Sequence, residues 1–254
     1  MDHMDQELRL AVLIDADNAP RTALREIMAE VAVYGTPTIK RIYGDWTTPN
    51  LASWKPLLLE NAITPVQQYG YTTGKNSTDS AMIIDAMDIL YSGNCDGFVL
   101  VSSDSDFTRL ATRLREAGMK VYGMGEKKTP KPFIVACDKF VYIESLKAAE
   151  AAVPAPKSSG KKKAAAHAEP EPEPKPLTVQ ALIAQSVEDL ADEDGYAYLG
   201  DVGTLLLKKQ PDFDSRNYGF SKLSRFIASL DCFEIDERRN ANYGGTQVFL
   251  RNKK

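Results

Sequence analysis

The sequence predicts an α/β fold: a mainly parallel sheet flanked by helices, followed by a small winged-helix-like module. Two observations carry this. Short β-rich apolar runs alternate with segments of helical periodicity before residue 148, and a Pro/Lys/Glu-rich stretch then separates a second set of periodic segments. Strands separated by helices of this length are βαβ units, whose right-handed crossovers make a parallel sheet that binds ligands beyond the carboxyl ends of its strands.

Taken in order, the expected strands are Leu10 to Ile14, Thr38 to Tyr43, Thr64 to Gln68, Phe98 to Val101, Lys120 to Gly123 and Phe140 to Ile143. Between them, helices are expected at about Arg21 to Val33, Ala52 to Glu60, Asp79 to Tyr91 and Asp106 to Ala117, the last closed by Gly118. Residues 148 to 176 hold six of the fourteen prolines, a lysine run and a Glu-Pro repeat, with almost no large apolar side chains. That composition predicts a disordered linker, so the expected domains are 1–147 and 177–254. In the second, helices are expected at Leu177 to Leu190, Leu199 to Lys208 and Lys222 to Leu230. A hairpin follows, from Cys232 to Ile235 through a turn at Arg238 to Gly245 and back along Thr246 to Leu250.

Composition removes several chemistries. The two histidines, His3 and His167, lie near the start and inside the linker, which disfavours Ser-His-Asp, Cys-His, zinc and two-histidine mechanisms. Three scattered cysteines suggest neither a disulfide framework nor a metal site, and a cytoplasmic location is expected. The apolar runs are too short to span a membrane. The formal charge of -4 runs against the basic surface expected of a nucleic-acid protein. Carboxylates gathered to hold a divalent ion offer one explanation, because the ion offsets their charge.

Acidic residues fall where that explanation needs them. Asp15 ends the first strand in LIDADN, and Asp104 and Asp106 follow the fourth strand in VSSDSDF, so all three belong to one edge of the sheet. Asp79 opens the helix STDSAMIIDAMDIL, where the helix dipole favours a carboxylate. Like-charged carboxylates at short range raise one another's pKa, a conflict that Mg²⁺ or Mn²⁺ resolves with hard oxygen ligands. A plainer reading stands beside this: Asp15 or Asp17, Asp79, and Ser105 or Asp106 could each simply cap the helix that follows. Asp85 is turned about 240° from Asp79 on an ideal helix and is expected to support neighbouring loops, with Asp88 facing solvent. Trp46 and Trp54 are read as core.

At these residues the sequence resembles the NYN domains, PIN-like nucleases that include the LabA-like bacterial proteins and several eukaryotic RNA-degrading enzymes. The resemblance covers about residues 8 to 145 through LIDADN, Lys75 with Asp79, and VSSDSDF. It implies a PIN-like Rossmannoid domain in which Asp15, Asp79, Asp104 and Asp106 are the metal-binding, catalytic acids. Asn18 would orient a ligand or the scissile phosphate; Lys75, in the loop before Asp79, reads equally as a contact to substrate phosphate or as an ordinary exposed loop lysine. The C-terminal segment YLGDVGTLLLKKQPDFDSRNYGFSKLSRFIASLDCFEID resembles an OST-HTH (LOTUS) domain, which implies RNA or partner binding. There Lys208, Lys209, Arg216, Lys222 and Arg225, near Tyr218 and Phe220, suit single-stranded RNA. Twelve acidic against ten basic residues in 177–254 equally suit a protein-docking surface, and a homodimer stays open.

The expectation is therefore a Mg²⁺- or Mn²⁺-dependent ribonuclease. Two alternatives stand beside it: a catalytically quiet RNA- or protein-binding scaffold, and a haloacid-dehalogenase-like phosphatase suggested by Asp15-Ala16-Asp17. The phosphatase pattern fails further on, where Ala19 and Asp104 stand in place of the residues that chemistry requires.

Overall fold

The computed structural model describes residues 7–69, 77–150, 178–239 and 246–253. Two compact units emerge, one of Met1–Ala148 with Leu207–Asn217, the other of Ala149–Leu206 with Tyr218–Lys254. The expected linker falls on residues that, from 151 to 177, lie outside the described set, as do Lys75 and most of the expected hairpin turn.

The first unit is built on strands β1 (Arg9–Asp15), β2 (Thr36–Gly44), β3 (Thr64–Gln67), β4 (Gly97–Val101), β5 (Lys120–Gly125) and β6 (Lys139–Tyr142). They form one sheet in the order β3-β2-β1-β4-β5-β6, and every adjacent pair is parallel. The order reverses at β1 and β4, the central pair, which is where an open parallel sheet leaves a crevice at its carboxyl edge. Strand β1 is buried on both faces. Leu10, Val12 and Ile14 join one apolar cluster with Leu24, Ile27 and Val31, while Ala11 and Leu13 join a second with Met82, Phe107 and Leu110. Each fully buried Leu, Ile or Phe contributes about 1.5–3 kcal/mol through removal from water. The central pair is thus a rigid base for whatever its strand ends carry.

The helices are α1 (Leu24–Tyr34), α2 (Lys55–Glu60), α3 (Ser77–Ser92), α4 (Thr108–Glu116), α5 (Lys131–Ala136) and α6 (Ile143–Glu150). Three of the expected helices begin with a tighter 3-10 turn: Arg21–Ala23 before α1, Pro49–Trp54 before α2 and Ser105–Phe107 before α4. Helices α5 and α6 are additional. Lys131 to Ala136 carries Pro132 in its first turn, where a fixed φ suits a helix start, and its six residues are too few to show a period. Trp54 is buried and Trp46 half-buried, its indole N–H donating to the Val66 carbonyl at 3.0 Å.

The C-terminal elements are α7 (Val179–Leu190), β7 (Ala197–Tyr198), α8 (Leu199–Lys209), α9 (Leu223–Ala228), β8 (Phe233–Arg239) and β9 (Thr246–Asn252). Thr178 caps α7 by accepting from the Ala181 amide at 3.3 Å. The expected hairpin is present as antiparallel β8 and β9, and β7 adds a third strand on the other side of β9. Two residues are too short a strand to signal themselves by alternation. Among the described residues, no helix is long and apolar enough to cross a membrane.

Candidate active site

Strand β1 runs its buried pattern to its last residue, so Asp15 is completely inaccessible at the sheet's carboxyl edge. A carboxylate there needs partners, and it has three. The Asp17 amide donates to Oδ1 at 3.0 Å, the Asn18 side-chain amide donates to Oδ2 at 2.7 Å, and the Ser102 hydroxyl donates to Oδ2 at 2.8 Å. Burial nonetheless outweighs these bonds, and the Asp15 carboxyl is held above its ordinary pKa. Two donors on Oδ2 use both of its lone pairs, whereas Oδ1 keeps one for a further ligand.

Ser102 lies just beyond β4 and is buried. Its hydroxyl oxygen also accepts from the Asp104 amide at 3.1 Å, so one side chain links the end of β1 to the turn that carries Asp104 and Asp106. Asp104 in turn accepts from the Asp106 amide at 2.9 Å and so caps the 3-10 turn. The cap here is therefore Asp104, and not Ser105 or Asp106 as the sequence suggested. It uses one oxygen and leaves the side chain at the edge of the crevice.

Asp79, in the first turn of α3, is buried and feels the others directly. Its carboxyl is raised to about 6 by burial first, and then by the charges of Asp15, Asp104, Asp106 and Asp17. Those contributions bring the four expected acids into one electrostatic neighbourhood. Asp17 is tied to the same helix by the Thr78 hydroxyl, which donates to Oδ2 at 3.2 Å. Asp85 supports β2: its carboxylate accepts from the Arg41 guanidinium and the buried Tyr43 hydroxyl. Asp88 is exposed.

The donor set is all oxygen and all carboxylate, which fits a hard divalent cation, and the neighbouring negative charges add to the burial that raises Asp79. Among the described residues, however, no group of three Asp, Glu, His or Cys side chains is arranged so as to hold a metal ion.

Ser102 is the residue that sequence reasoning misses. A serine after a strand reads as an ordinary turn residue, and only the fold shows it beneath Asp15. The basic residues expected to touch nucleic acid, Lys208, Lys209, Lys222 and Arg225, are all exposed. Arg216 is drawn back onto Asp214, its Nη2 lying 2.6 Å from the carboxylate.

A parallel sheet with carboxylates gathered at its switch point defines the PIN-like class of α/β domains. A family model for the NYN domain matches residues 9–144, more than half of the chain, and the protein belongs to that family. A second model, for the OST-HTH/LOTUS domain, matches residues 173–244. The first match indicates a nuclease and the second RNA binding. No protein with a curated description matches the chain. An NMR structure of an uncharacterized protein from Nitrosomonas europaea is 34% identical, over 38% of this chain and 93% of its own, with a TM-score of 0.29. A crystal structure of a protein of unknown function from Vibrio parahaemolyticus is 23% identical, over 56% of this chain and 96% of its own, with a TM-score of 0.46.

Proposed function

We propose that the protein is a Mg²⁺- or Mn²⁺-dependent ribonuclease that cleaves single-stranded RNA at the crevice between β1 and β4, with the C-terminal module holding RNA or a partner. The observation that carries this reading is the convergence of Asp15, Asp104 and Asp106 on Asp79, whose carboxyl they help to raise to about 6. The ion would be held by these four acids, and when bound it supplies an activated water and neutralises charge on the leaving oxygen. The chain's own contribution is orientation. Asn18 and Ser102 fix the Asp15 carboxylate so that Oδ1 is the oxygen presented. Ser102 also ties the Asp104 turn to the same base. Asp79 takes up a proton near neutral pH when no cation is present, so it is the group through which acid competes with metal.

The test is direct. Purified protein with labelled single-stranded RNA is expected to cut in Mg²⁺ or Mn²⁺, to stop in EDTA, and to lose cleavage on Asp104→Asn. A catalytically quiet RNA-binding protein is the second reading, favoured by the lack of a ready-made three-donor group among the described residues. Binding without cutting in either metal would establish it in place of the first.

A further inference from the structure

The acid crevice is bordered by a positively charged turn that the nuclease reading leaves unused. Strand β5 lies beside β4 and ends at Gly125. The next four residues, Glu126–Thr129, make a turn closed by the Thr129 amide donating to the Glu126 carbonyl at 2.9 Å, with Lys127 and Lys128 at its two corners. Lys131 opens α5 just beyond, and all three lysines are exposed.

This turn is fastened to the segment that carries Asp104. The Glu126 amide donates to the Ser103 hydroxyl at 2.8 Å, and a Cβ on Gly125 would stand 2.6 Å from the Ser102 carbonyl oxygen. Only glycine permits that approach, so the two strand-end segments pack backbone to backbone. The Lys127 amide is held as well, donating to Glu144 at 3.0 Å. Lys128 lies 2.6 Å from Glu126, but its side chain is 68% exposed, and such surface pairs are weak enough for a phosphate to compete. Adjacent strands are about 4.8 Å apart, so this turn sits one strand away from the Asp104 turn.

An RNA strand approaching four carboxylates is repelled everywhere except where a cation bridges. A substrate polyanion therefore needs positive charge at the border of the crevice. We propose that Lys127, Lys128 and Lys131 bind backbone phosphates of single-stranded RNA on the β5 side of the acid crevice. This rests on the ribonuclease reading and adds the side by which the substrate strand enters or leaves.

The experiment uses the full chain with Asp104→Asn, which permits binding to be followed without cutting. Fluorescence anisotropy with a labelled single-stranded RNA, at several salt concentrations, compares it with the same chain also carrying Lys127→Ala, Lys128→Ala and Lys131→Ala. Each lost phosphate contact on single strands lowers the slope of log affinity against log salt by about 0.7, so a fall of about 2 is expected. The matching triple Lys→Arg variant should restore most of the slope, and in a chain with Asp104 intact the three Lys→Ala changes should leave Mn²⁺ affinity by calorimetry within about twofold. An unchanged slope, or a parent chain that binds no RNA, overturns the proposal. Failure of the ribonuclease reading looks different: the lysine-dependent slope persists while the unsubstituted chain leaves RNA intact in both metals.

Discussion

At the scale of single residues, the four acids are legible because aspartate at a strand end or in a first helical turn is a positional signal. Ser102 is not, because its function comes from a contact across 87 residues of sequence. It donates to Asp15 and accepts from Asp104, so its removal frees both turns without changing the charge of the site. Groups that orient a metal ligand typically affect affinity or activity 10- to 100-fold. Ser102→Ala should therefore weaken Mn²⁺ binding and RNA cleavage by roughly that factor with a native circular-dichroism spectrum. Equal cleavage by the variant and the parent would remove Ser102 from the site. Asp79 gives a pH prediction whose sign follows from its shift. Its carboxyl titrates near 6 in the fold against an ordinary value of 3.8, so the folded state favours the protonated form. The stability that this contributes is fully present below about pH 4 and is lost as pH rises through 6. At about 1.4 kcal/mol per unit, up to about 3 kcal/mol is involved. In EDTA, Asp79→Asn should gain stability relative to the parent between pH 4 and pH 7, read by urea denaturation. A constant difference across that range would show that Asp79 carries no such strain.

Elements are legible in proportion to their length and period. Strand β1 and helix α3 announce themselves, while β7 and α5, of two and six residues, do not. What no local pattern supplies is how an element is anchored. Helix α3 carries Asp79 at one end and, within the same helix, Asp85 clamped to β2 by Arg41 and Tyr43. The helical offset of the two acids takes Asp85 off the face of Asp79, but its partners lie on strand β2 and not in the neighbouring loops that the sequence suggested. Tyr43 is completely buried, so removing the carboxylate leaves its hydroxyl unsatisfied at a cost of about 1–3 kcal/mol. Asp85→Ala is expected to destabilise the protein by that amount, with Asp85→Asn milder because the amide oxygen still accepts. Chemical denaturation checks it, and equal losses from both substitutions would mean that the charge, not the hydrogen bond, is what counts. Gly125 is the corresponding device on the other side of the crevice. Gly125→Ala must push β5 from the Ser102 carbonyl, so it should reduce cleavage more than a surface substitution such as Lys120→Ala.

For the molecule as a whole, the formal charge of -4 matches in number the four acids drawn to one crevice, so the remaining charges balance. The sequence alone makes that charge an argument against nucleic-acid binding, because a sum carries no positions. The fold separates it into an acid centre bordered by lysines. A cation that binds the native chain and not the unfolded one must then stabilise it, by about 2.7 kcal/mol at a concentration one hundred times its Kd. For a chain of this size each kcal/mol raises the midpoint by about 2–4 °C, so saturating Mn²⁺ should raise the melting temperature of the unit with the parallel sheet by about 5–10 °C at pH 7.5. Because protonation of Asp79 competes with the ion, the gain should shrink below pH 6. It should be largely lost in Asp104→Asn, which retains the fold but not the charge. Calorimetric scans with Mn²⁺, at both pH values and on both chains, read all of this without any nuclease assay. A midpoint indifferent to Mn²⁺ in the unsubstituted chain would mean that the four carboxylates never close on an ion, and that the crevice serves something other than hydrolysis.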